Sequence, residues 1–203
     1  MITGKRQWIL GAGLLLALNT QTASAGLMNT DFSSGYSGWS GEVISYNYLS
    51  GMDSTETGNI FNQFGDNFLL SGNEVTLTTS SDAMNDYWSV SMFQEATLAE
   101  DIQTLALTVE ASLTDPAADF FYVQLRDLTT DNVIDLSAGG LFDISTWAGQ
   151  SVSFEFGVMD FDFIPADSIA VGDISLGYAS VPAPATGLLL ALGALISLRR
   201  KGC

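Results

Sequence analysis

The chain has 203 residues, 47% of them hydrophobic, with 23 acidic residues against six basic ones, no histidine and a formal net charge of −17. The lack of histidine excludes Ser-His and Cys-His relays, an imidazole base and the usual zinc donor sets. The acidity excludes the phosphate-neutralising surface on which nucleic-acid binding depends.

At the amino end, Lys5 and Arg6 precede an apolar stretch over residues 8–18, and Ala23-Ser24-Ala25 forms an A-x-A site. This pattern predicts a secretory signal peptide over 1–25, cleaved before Gly26 by the secretion machinery. Five of the six bases lie in the terminal segments, so the stretch 26–180 holds Arg126 against all 23 acids, a formal −22. Such a surface repels anionic partners and favours divalent cations or cationic polymers. Its length is that of one ordinary domain with room for a core. The single cysteine, Cys203, leaves no internal disulfide possible.

Within 26–180 the signal is period-2 alternation of apolar and polar residues. Trp88, Val90 and Met92 alternate with Ser89, Ser91 and Phe93; Leu105, Leu107 and Val109 with Ala106, Thr108 and Glu110. Phe121, Val123 and Leu125 alternate with Tyr122, Gln124 and Arg126; Val152, Phe154, Phe156 and Val158 with Ser153, Glu155 and Gly157. Each predicts an antiparallel strand with one face covered. Further strands are predicted at 42–48, 67–70, 74–79 and 174–178. Turn signals fall between them at Ser71-Gly72-Asn73, Asp115-Pro116, Thr130-Asp131-Asn132 and Gly139-Gly140. With no sustained helical period in this stretch, the expectation is an all-β, antiparallel β-sandwich of jelly-roll type.

Three local stretches resemble galactose-binding-like and carbohydrate-binding jelly rolls. Met28-Asn29-Thr30-Asp31-Phe32 with Gly35 and Gly38-Trp39-Ser40 resembles their N-G-D-F-E…G-W opening. Phe142-Asp143-Ile144-Ser145 followed by Ala148-Gly149-Gln150-Ser151-Val152 resembles a later D-L-S…a-G-q step. Ala170 to Leu176 resembles the closing D-D-v-s-l strand, with Gly172 in place of an acid. The resemblance implies a structural calcium ion near the first and last strands, at Asp31 and Asp173.

Other candidate site residues come from side-chain chemistry. Asp160 and Asp162, with Asp167, offer a second calcium set: in an extended segment the i,i+2 carboxylates point one way, with Phe161 and Phe163 facing the core. Trp39, Trp147 and Tyr87 are candidate ligand-stacking rings. For Trp39 the packed core ring is the favoured reading, since large aromatics in a domain of this size are usually buried. Tyr87 and Trp88 are adjacent and point to opposite sides of a strand.

The carboxyl end, 181–203, reads VPAPATGLLLALGALISLRRKGC. Its apolar run over 187–198 spans about 18 Å as a helix, short of the roughly 20 residues that cross a bilayer. A short membrane-inserting C-terminal helix is expected. Val181, Pro182, Pro184, Ala185 and Thr186, the apolar run, and Arg199, Arg200 and Lys201 resemble the PEP-CTERM sorting signal of Gram-negative bacteria, with Ala183 where that family has Glu. The resemblance implies transient membrane insertion, processing by an exosortase-like enzyme, and association with exopolysaccharide and biofilm.

No G-x-S-x-G elbow or phosphate-binding glycine loop is present. A glycosidase needs two carboxylates about 5–9.5 Å apart, and 23 acids supply such a pair by number alone. The expected protein is exported, non-catalytic, located in the cell envelope or outside the cell, and associated with extracellular polysaccharide. A matrix role without sugar specificity and a glycoside-active enzyme are the alternatives.

Overall fold

A computed structural model describes residues 26–179; the expected signal peptide and sorting tail lie outside the described residues. The strands, in chain order, are β1 (Ser40–Asn47), β2 (Met52–Gly58), β3 (Phe68–Ser71), β4 (Glu74–Thr78), β5 (Ser80–Ser81) and β6 (Asn85–Thr97). They continue with β7 (Ile102–Ser112), β8 (Phe120–Asp127), β9 (Val133–Asp135), β10 (Gly140–Asp143), β11 (Ser151–Met159) and β12 (Ser168–Tyr178). Among the described residues a single 3-10 turn, Ser145–Trp147, interrupts them.

The strands form two antiparallel sheets, as expected for a β-sandwich. One has seven strands in the order β2-β1-β6-β11-β8-β9, with β5 also paired to β6; the other has five, in the order β10-β7-β12-β4-β3. The chain passes from one sheet to the other at nearly every long strand, which makes most of the packing long-range.

Alternation supplies the core. β11 turns Val152, Phe154, Phe156 and Val158 inward, opposite Leu105 and Leu107 of β7, Val75 and Leu77 of β4, and Ile169 and Val171 of β12. All ten side chains are buried. At roughly 1.5–3 kcal/mol for each fully buried large apolar side chain, this layer is the main stabilising term.

Register shifts interrupt the ladders at three places, two of them near candidate residues. Ile44 pairs with Ser89 and Tyr46 with Asp86, so β6 has an extra residue across Tyr87 and Trp88. In β12 the register against β7 shifts between Gly172 and Ser175, where Asp173 adopts φ +51°. A short polar side chain tolerates that left-handed backbone better than a branched one.

Candidate functional site

Side chains alternate across a strand, so the residues between the core positions of β1, β6, β8 and β11 face outward. Glu42, Ser91, Phe93, Glu95, Tyr122, Arg126, Ser153 and Glu155 line a depression of about 210 Å³ on the outer face of the seven-stranded sheet. Gly157 packs beside Ser91 and under Tyr122, two of the lining residues. Arg126, the one base among the described residues, donates from Nε to Glu155 Oε1 at 3.0 Å, and Gln124 donates to Glu155 Oε2 at 2.9 Å. Burial pushes the Tyr122 phenol above its ordinary value, so it remains a neutral donor.

Aromatic rings border this face where β1, β2 and β6 meet the loop 160–167. Tyr46 pairs across the sheet with both Asp53 and Asp86, and paired residues share a face. The bulge in β6 sends the Trp88 indole to the same face, where Nε1 donates to Asp53 Oδ1 at 3.3 Å. The Trp88 ring lies 5.8 Å from Phe161; Tyr46 lies 6.1 Å from both Tyr48 and Phe163. Along β8, Phe120 stacks on Tyr122 at 6.3 Å. Phe161 and Phe163 are each 52% exposed, and Tyr48 and Phe120 are exposed to a similar degree. Exposed rings beside carboxylate, amide and hydroxyl groups can take a ligand with an apolar face and a polar edge.

The candidate stacking rings from the sequence lie elsewhere. Trp39 is 4% exposed, 5.4 Å from Phe32 and 5.8 Å from Phe156, with Nε1 donating to the Asn29 carbonyl at 3.2 Å. Trp147, 9% exposed, closes the 3-10 turn against the core. The ligand-facing expectation for both is corrected: each ring has more apolar area to bury than any other residue type, and the sandwich ends need it. Tyr87 is half-buried, 5.7 Å from Phe64, and its hydroxyl donates to Asp82 Oδ2 at 2.8 Å. Trp88, expected on the core face with Val90 and Met92, is likewise half-buried and lies on the outer face.

The carboxylates also regroup. Asp31 accepts from the Ser33 amide at 3.2 Å and its hydroxyl at 2.9 Å, bonds that lower its pKa. Asp173 accepts from the Asn73 side chain at the β12 bulge. Asp31 is bonded within its own turn and Asp173 to the turn between β3 and β4, and no shared partner joins them. Asp162 accepts from the Ile164 amide at 2.8 Å. The segment 160–164 is a loop, not a strand, with Phe163 at φ +60°. The expected orientation is therefore reversed: Asp160 is buried, and Phe161 and Phe163 face solvent.

Asp160 instead meets Asp119 and Asp167. One oxygen from each of the three buried carboxylates lies within 4.8 Å of the others. Asp119 Oδ1 accepts from the Phe161 amide at 3.0 Å, and its Oδ2 accepts from the Asp115 amide at 3.0 Å. Asp167 Oδ1 accepts from the Thr114 amide at 2.6 Å and the Thr114 hydroxyl at 2.8 Å. Asp160 Oδ1 accepts from the Ile164 amide at 3.2 Å. Oδ2 of Asp160 and Oδ2 of Asp167 are buried without a hydrogen-bond partner. Burial pushes the Asp160 carboxyl up to about 6, and the negative charges of Asp167 and Asp86 add to the rise. Asp119 carried no sequence signal beyond the nearby Asp115-Pro116 turn.

No protein-family model and no curated protein matches the chain. Among solved structures it is similar to the module TmCBM61 in complex with β-1,4-galactotriose, at 10% identity and a TM-score of 0.42, over 77% of this chain and all of that one. It is also similar to Xylanase10C from Cellvibrio japonicus in complex with xylopentaose, at 15% identity and a TM-score of 0.33, over 70% of this chain; the match spans 27% of the xylanase chain.

Proposed function

We propose that the protein is an exported, non-catalytic surface or matrix component that binds a polysaccharide across the outer face of its seven-stranded sheet. The observation that carries this reading is a polar depression, lined in part by Tyr122, on a sheet face that also carries ring pairs joining half-buried and exposed aromatics: Trp88 with Phe161, Tyr46 with Tyr48 and Phe163, and Tyr122 with Phe120. Sugar C–H faces stack on such rings, while hydroxyls bond to groups such as Glu42, Ser91 and Ser153. The formal −22 of residues 26–180 favours a neutral glycan, because an anionic one would be repelled. Glu155, in the depression, is engaged by Arg126 and Gln124, which suits it to hydrogen bonding rather than to proton transfer.

Export rests on the signal-peptide pattern of 1–25, and sorting rests on the tail 181–203, whose PEP-CTERM resemblance suits a Gram-negative envelope and an exosortase-like processing partner. The jelly-roll form of the sandwich belongs to the same reading.

The test is a glycan array probed with the full-length protein, followed by titration of any positive glycan. Trp88→Ala and Tyr122→Ala are each expected to weaken binding at least tenfold. Undiminished binding by both variants would place the ligand elsewhere, and the absence of any glycan ligand would favour a matrix role without sugar recognition.

A further inference from the structure

We propose that Asp119, Asp160 and Asp167 form a calcium site that ties the two sheets together at one end of the sandwich. Each residue flanks a strand end: Asp119 directly precedes β8, Asp160 directly follows β11, and Asp167 directly precedes β12. β8 and β11 are neighbours in the seven-stranded sheet, with Met159 opposite Phe120, while β12 belongs to the five-stranded sheet. A cation held by all three carboxylates would link the sheets through residues fixed by their strands.

The carboxylates are oriented but not satisfied. Backbone amides and the Thr114 hydroxyl hold Oδ1 of Asp119, Asp160 and Asp167. Oδ2 of Asp160 and Oδ2 of Asp167, on side chains that are 0% exposed, have no partner. A buried carboxylate oxygen without a donor is strongly disfavoured. Three carboxylates this close also repel one another in a weakly screened interior. A proton or a cation must compensate, and among the described residues no Lys or Arg bonds to any of the three.

Donor chemistry selects the ion. The donors are all hard oxygens, which suit Ca2+ or Mg2+ rather than a thiophilic metal. Two oxygens on one Ca2+ ion lie at most about 5 Å apart, twice the Ca–O distance, whereas on Mg2+ the limit is about 4.2 Å. One oxygen of each carboxylate lies within 4.8 Å of the others, inside the Ca2+ limit, and Mg2+, which dehydrates reluctantly, is seldom held by an all-protein cage. Water or main-chain carbonyls would complete the coordination. The site stands independently of glycan binding, although the loop between Asp160 and Asp167 carries Phe161 and Phe163 of the aromatic border.

The experiment uses the full-length protein, stripped with a chelator and titrated with Ca2+ at pH 7.5, and separately with Tb3+. Expected are a rise in Tm of several degrees at millimolar Ca2+, and Tb3+ emission sensitised by Trp88 and displaced by Ca2+. Asp160→Asn and Asp167→Asn keep the side-chain shape, remove one charge each, and should fold at least as well as the stripped wild type. Each should weaken the Ca2+ response at least tenfold, while Asp31→Asn leaves it unchanged. A wild type whose Tm ignores Ca2+ and rises only on acidification would show that a shared proton holds the cluster, overturning the proposal. A full Ca2+ response in both cluster variants would assign it to the acidic surface and overturn it equally.

Discussion

Gly157 lies directly beneath the ring of Tyr122: a Cβ built at Gly157 would fall 2.9 Å from Tyr122 Cε1 and 2.8 Å from Ser91 Cβ. The two residues are paired across β11 and β8, so the lack of a side chain at one sets the position of the ring at the other. Gly157→Ala is expected to push the Tyr122 ring out of the depression. Overpacking of this kind costs about 1–3 kcal/mol, more than the fraction of a kcal/mol that alanine gains over glycine in a strand. A lowered Tm with shifted Tyr122 ring resonances is the expected result; a Tm equal to the wild type's would show that the ring is not constrained by this contact.

Trp39 is a core anchor rather than a ligand platform, wedged among Phe32, Phe154 and Phe156. Trp39→Ala should destabilise the fold by about 3–5 kcal/mol, read from denaturant unfolding. Trp88→Ala, at a half-exposed ring, should cost far less. A Trp39→Ala loss below about 1 kcal/mol would contradict the core assignment.

Asp82 organises the turn between β5 and β6. It accepts from the Met84 and Asn85 amides at 2.7 Å each and from the Tyr87 hydroxyl at 2.8 Å. The Met84 bond is the largest of the effects that lower its carboxyl to about 2 from 3.8. A carboxylate whose pKa is depressed on folding binds fewer protons in the native state. Its stabilisation is therefore complete above about pH 4 and is lost as pH falls towards 2. The Tm gap between the wild type and Asp82→Ala should be constant from pH 7 to 5 and should close between pH 4 and 2. A gap that persists undiminished at pH 2 would show that the carboxylate charge is not what stabilises the turn.

Deleting the tail after Ser180 should release the exported protein from the envelope into the medium, as measured by fractionation. Retention of the truncated chain would exclude the tail as the sorting element.

The alternation of residues 105–109 and 152–158 was legible because one face of each strand is covered: Leu105, Leu107, Phe154 and Phe156 are all buried. β2 left no such signal. Its sequence MDSTETG lies at a sheet edge and is exposed along nearly its whole length, so nothing selects for an apolar period there. Residues 160–163 gave a false one. Their Asp-Phe-Asp-Phe alternation reads as a strand with the rings inward, whereas the chain turns there with Phe163 in the left-handed region. Local pattern names two faces but does not say which one is covered.

Composition and period alone determined the acidic character, the all-β sandwich and the absence of histidine chemistry, because these depend on residue type and nearest neighbours. Tertiary structure decided which rings and which acids act together. A one-residue bulge in β6 accompanies the turn of Trp88 towards Asp53, and Asp119 reaches Asp160 and Asp167 only after two loops distant in sequence meet at one end of the sandwich. Register and inter-sheet packing create these contacts, and both depend on the whole chain folding.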